Sequence, residues 1–139
     1  MKHRTQLLAI AVLAVSFAGC GSGNYDQAEK ALNDVVASQE KIVAALNSIN
    51  SPDDVDAAVA QIDAVGVEVR DTLMPLKTLQ LTKSEGEKLQ KSMLSKKAEL
   101  ESSMMSAVEK AQENAGDRFG EIESAVLRYE AGVNALRGG

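Results

Sequence analysis

The chain has 139 residues, with 15 basic and 20 acidic side chains, one Cys, one His, no Trp and 3% aromatic residues. That length is one domain's worth, and the acid excess excludes a nucleic-acid binder, which needs Lys and Arg to neutralise phosphates. With so few aromatic rings, a core has to be built from Ala, Val, Leu, Ile and Met, which suits helices packed along their length.

The N-terminal segment opens on Lys2, His3 and Arg4, continues through an apolar run from Leu7 to Phe17, and closes on Ala18 and Gly19 just before Cys20. A positive start, an apolar stretch and small residues before a cleavage point make a secretory signal. The apolar run falls short of the roughly 20 residues that span a bilayer. With Cys directly after the small residues, the segment resembles a bacterial lipoprotein signal, whose lipobox ends Ala-Gly-Cys. Phe17 departs from the Leu that is commoner three positions before the Cys. The resemblance implies thioether lipidation of Cys20, cleavage before it, and acylation (palmitate or a similar chain) of the new amino terminus. The expected organisation is a signal peptide over residues 1–19, a lipidated Cys and short tether over 20–23, and a helical domain over 24–139.

Cleavage removes Lys2, His3 and Arg4, so the formal net charge goes from −5 to −7 and no His remains. Such a chain gains nothing electrostatically from anionic lipid, and two or more acyl chains are what hold it firmly. The expected location is the cell envelope. In lipoproteins of this type, Asp at the second position after the Cys retains the protein on the inner membrane. Ser22 stands there, so in a host with two membranes the outer one, facing the periplasm, is expected.

Asn24 with Gln27 has the pattern of a capping box. Tyr25, Ala28, Leu32, Val35, Gln39, Ile42, Leu46 and Ile49 then recur at 3-4 spacing, one seam of a helix that packs on others. Val36 and Val43 widen the stripe, as in a bundle helix. Ser51-Pro52-Asp53-Asp54 opens the second helix with an N-cap residue, a Pro at the first position and two carboxylates at the positive end of the helix dipole. Its seam is Val55, Ala58, Ile62, Val65, Val69, Thr72, Leu76 and Leu79. Pro75 inside it predicts a kink between Asp71 and Leu76. Thr82 with Glu85 and Ser84 with Glu87 are overlapping capping boxes for the third helix.

The third seam reads Leu94, Ala98, Glu101, Met105, Val108, Gln112, Ala115, Phe119, Ile122, Val126, Tyr129, Val133 and Leu136. Its spacing passes Gly116 without changing phase. The expected fold is an all-α antiparallel bundle of three helices with a long third one. The alternative is four helices with a break near Gly116, where Gly116-Asp117 can serve as C-cap and new N-cap. An unbroken third helix would be roughly 75–80 Å long against roughly 40 Å for the others. Phe119, Ile122, Val126, Tyr129, Val133 and Leu136 would then lack an intramolecular partner. They form a candidate seam for self-association or for another helical envelope protein. If the chain breaks at Gly116, that seam is internal.

No catalytic, cofactor or metal site is expected. Nucleophilic triads need a base, normally His. Zinc sites use Cys and His, and no Gly-rich phosphate loop or EF-hand pattern is present. Most carboxylates alternate with Lys and Arg on polar faces, whereas Glu101 and Gln112 fall on the seam, at a solvated edge or as register-setting residues. Met74, Met93, Met104 and Met105 are soft donors of the type that suits Cu(I), although Met also fills irregular core space. Lys83, Lys88, Lys91, Lys96 and Lys97 make a locally basic stretch diluted by Glu85, Glu87 and Glu99.

A lipidated amino terminus, a short tether and Ala-rich heptad helices together resemble the small helical lipoproteins of bacterial envelopes. The major murein lipoprotein of that class joins peptidoglycan through a C-terminal Lys. This chain ends Arg137-Gly138-Gly139, so that attachment is not implied. The expectation is a non-enzymatic structural or interaction module held to the membrane through Cys20. The alternative is a ligand-binding or carrier bundle for an apolar small molecule or, less favoured, Cu(I).

Overall fold

The computed structural model describes residues 24–138, and they form an all-α helical bundle built of two antiparallel hairpins. Helix α1 spans Tyr25–Asn47 and α2 spans Val55–Leu73, joined through a 3-10 turn at Pro52–Asp54. A second 3-10 turn, Met74–Thr78, leads to α3, Lys83–Ala115; a third, Gly116–Arg118, leads to α4, Phe119–Gly138. No strand occurs among the described residues.

The helical run from Lys83 is long, as the seam spacing implies, and helical residues continue from it to Gly138. It is folded over at Gly116, so its two halves are separate helices. Gly116 has φ 58° and ψ −128°, a region that side chains with a Cβ rarely enter. The chain therefore takes the alternative with a break near Gly116. Kept phase is no evidence of a straight helix when the second half turns back onto the same core.

Cross-links between the helices reveal two hairpins side by side. Lys96 donates to Asn33, Lys110 to the Asn47 carbonyl and Asn114 to the Ile49 carbonyl. Helix α3 thus runs parallel to α1. Arg118 meets Asp56 and Arg128 meets Asp63, so α4 runs parallel to α2. All these partners are 62 to 65 residues apart. The second hairpin lies on the first in nearly constant register. Helices α1 and α2 pack closely on each other, α3 on α1 and α4 on α2, while the α3 and α4 backbones seldom approach each other.

One core runs through the whole bundle. The α1 seam is buried as expected from Ala28 to Ile49, including Gln39, with Tyr25 partly buried. On α2, Val55, Ala58, Ile62, Val65 and Val69 are buried, and Leu73 rather than Thr72 continues the stripe. The candidate interaction seam is internal too. Phe119, Ile122, Val126, Tyr129 and Val133 are buried, and Leu136 packs against the core. The expectation that this seam lacks an intramolecular partner is corrected: α4 has 20 residues and α2 has 19, so one covers the other.

Three local expectations also change. Asn24 makes no cap; its side-chain Nδ2 instead donates to the Gln80 carbonyl at 2.9 Å. Pro75 does not kink a continuing α-helix. Helix α2 ends at Leu73 and a 3-10 turn carries Pro75, because Pro cannot supply the next backbone donor. Along α3 the buried residues are Leu89, Met93, Leu100, Met104, Ala107, Val108, Ala111 and Ala115. Leu94 and Met105, assigned to the seam, are 61% and 42% exposed. Both registers carry apolar residues, since Met93-Leu94 and Met104-Met105 are adjacent pairs. Packing selects the register that keeps Glu101 and Gln112 off the core axis. The capping box of Thr82 with Glu85 forms as expected, with both reciprocal bonds at 3.0–3.1 Å.

Candidate functional site

Cys20 and the tether over 20–23 lie outside the described residues. The chain enters the bundle at Asn24, whose bond to the Gln80 carbonyl ties the start of α1 to the α2–α3 connection. Lys88 of α3 sits 4.8 Å from the Tyr25 ring centroid at the same end, a cation–π contact. At the far end, Asn114 and Arg118 reach the Ile49 and Pro52 carbonyls at 2.9 and 3.0 Å. The two hairpin turns are thereby tied together. The length of α1, 23 residues, separates the two ends by about 35 Å.

Arg118 is the hub of the far end. Its guanidinium bonds both Glu121 oxygens at 2.8 and 3.0 Å and also reaches Asp56. Glu121 is held below the usual carboxylate range by that hydrogen-bonded cation. On the side of the bundle, Lys41 bonds Glu68 at 2.8 and 3.0 Å. Lys41 first, and Ser38 after it, lowers the Glu68 pKa. Arg128 grips Asp63 through two bonds at 3.0–3.1 Å. These pairs are exposed and weak singly. Their value is positional, since each fixes one helix against another.

Two surface features, a groove and a set of exposed apolar side chains, stand out. A groove of about 550 Å³ lies between α1 and α3, with Val36, Ala37, Val43 and Leu100 among polar Asn33, Glu40, Lys96, Glu99 and Ser103. Leu94 and Met105, eleven residues apart on α3, share one face three turns apart, on the side away from the groove. Leu127, 47% exposed, lies on α4. The interior adds a buried polar pair, Gln39 and Tyr129.

Among the described residues no group of three or more His, Cys, Asp or Glu is placed to hold a metal ion. Met93 and Met104 are buried in the core whereas Met74 and Met105 are exposed, so the four thioethers are divided between interior and surface. Of the basic stretch, Lys96 is tied to Asn33 and Lys97 lies 3.8 Å from Glu101. No helix among the described residues is long and apolar enough to cross a membrane. Sequence reasoning missed the Gln39–Tyr129 contact. The available signal was a lone amide on one seam and a lone phenol on another. No protein-family model, curated protein or solved structure matches the chain.

Proposed function

We propose that this protein is a lipid-anchored envelope lipoprotein whose bundle acts as a non-enzymatic structural or protein-interaction module. The observation that carries the reading is the lipobox ending Ala18-Gly19-Cys20, with helix α1 beginning only five residues after the Cys. With so short a tether, acyl chains on Cys20 hold the Asn24 end of the bundle close to the membrane and present the Gly116 end outward. Leu94 and Met105 are exposed on one face of α3 and are the positions at which contact with an envelope protein is tested. Ser22 directs such a lipoprotein to the outer membrane in a two-membrane host.

Mass spectrometry of the native protein tests the anchor. It should show acylated Cys20 at the mature amino terminus, and Cys20→Ala should abolish fatty-acid labelling and leave either a released chain or an uncleaved precursor. An unmodified Cys20 in the native protein would overturn the reading. Photo-crosslinkers placed at Leu94 and Met105 in the intact envelope should trap one dominant partner that crosslinkers at Asp53 or Glu109 do not.

A second reading, a carrier of a small apolar molecule, draws on the α1–α3 groove, whose volume falls in the range of ligand sites. Native mass spectrometry revealing a stoichiometric bound lipid would favour it over the interaction module.

A further inference from the structure

We infer that α4 is an exchangeable arm: it opens at Gly116 and seats on α2 of a second copy of this chain, so that two chains trade their last helices. The hinge is one residue. Gly116 alone has a positive φ among the described residues, and helical residues run right up to it and resume after it. The reversal begins at Ala115 without a side-chain cap. In a continuous helix the backbone groups that end α3 and begin α4 would bond one another. The apolar spacing Ala115, Phe119, Ile122 also suits an unbroken helix, so bent and straight forms bury the same side chains. Short hinges of this kind favour exchange between copies over loss of the contact.

Helix α4 is held by the first hairpin far more than by α3. Its complement is specific. Gln39 receives Tyr129, Asp63 receives Arg128, Asp56 receives Arg118, and the Tyr129 ring packs over Gly66. Gly132 admits the Arg70 side chain, which would lie 3.3 Å from a Cβ there. A second copy carries this same set, and no other occupant matches it by necessity. The inference is independent of lipidation at Cys20.

The test uses full-length chains in their native membrane. Chains bearing Asp63→Cys and differently tagged chains bearing Arg128→Cys are co-expressed and treated with a short bis-maleimide. Exchange predicts links between the two tagged chains. The control pair, Lys41→Cys with Glu68→Cys, bridges α1 and α2, which stay together, and should link only when both substitutions lie in one chain. Adding Gly116→Ala, which disfavours the bent hinge, should raise the interchain 63–128 product about tenfold, the equivalent of about 1.4 kcal/mol. Absence of interchain links with the hinge unsubstituted overturns the inference, and this arm decides even if G116A accumulates poorly. Links that G116A leaves unchanged overturn it too, as do interchain 41–68 links of equal yield, which would mean that copies merely lie side by side.

Discussion

The side-chain amide of Gln39 on α1 donates to the hydroxyl of Tyr129 on α4 at 2.6 Å, across ninety positions of sequence. Both side chains are buried. Gln39 Oε1 has no hydrogen-bond partner in this site, so the pair is only partly satisfied. Burial pushes the Tyr129 hydroxyl up to about 12, so it stays neutral throughout the physiological range. Such a pair adds little net stability but ties α4 to one position on the first hairpin.

Breaking half of it should cost more than removing all of it. Tyr129→Phe leaves the Gln39 amide unpaired at both ends and should destabilise by roughly 1–3 kcal/mol. Gln39→Leu combined with Tyr129→Phe should recover much of that loss. A double-mutant cycle by urea denaturation measures the coupling. Strictly additive losses would mean that the bond contributes nothing.

Gly116→Ala should destabilise the closed monomer by on the order of 1–3 kcal/mol, because Ala is strained at this φ and ψ. No atom crowds the added Cβ, so the cost is one of backbone conformation alone. Gly120 lies four residues on, inside α4, with open space around it and no positive φ. There, Gly→Ala should stabilise by about 0.4–1 kcal/mol. Denaturation at low protein concentration should show opposite signs for the two changes.

Ile122→Asp and Leu94→Asp separate the buried register from the exposed one. Ile122 is 1% exposed and Leu94 is 61% exposed. The first puts a charge into the core and should cost about 4 kcal/mol or more. The second should stay within about 0.5 kcal/mol. Circular dichroism melting curves that drop equally for both would place α3 in the other register.

Glu130 supplies a pH signature. Desolvation pushes its carboxyl up to about 7. The folded chain then keeps a proton that the unfolded chain loses near the ordinary carboxylate value, so stability falls as pH rises through that interval toward 7. Above pH 7 the folded protein carries the desolvated charge. Glu130→Gln should therefore raise Tm at pH 8 and leave it nearly unchanged at pH 4. A gain of equal size at both pH values would assign the effect to packing.

Much of the architecture was legible because a helix announces itself by its period. The α1 seam from Ala28 to Ile49 is buried residue for residue, and Thr82 with Glu85 starts α3 as the local pattern implies. The α3 register was not legible. Met93-Leu94 and Met104-Met105 offer two stripes one residue apart, and the strict 3-4 spacing chosen for the seam fits either stripe nearly as well. The Leu73 ending was also ambiguous, because Pro75 is compatible with a kink or with a stop.

The sequence by itself determined helical type, the approximate turns, an acid-rich surface and a core made of small aliphatic side chains. Each of these follows from local chemistry: side-chain period, capping residues and composition. Tertiary structure decided the direction of the last helix. Gly116 permits either a bend or a straight passage, and Phe119, Ile122, Val126 and Tyr129 require burial in both. Within a single chain, what selects the bend is contact with residues about 64 positions away: Asn114 on the Ile49 carbonyl, Arg118 on Asp56, Arg128 on Asp63. Within one chain those partners are brought together only when the second hairpin lies down on the first, which no local pattern encodes.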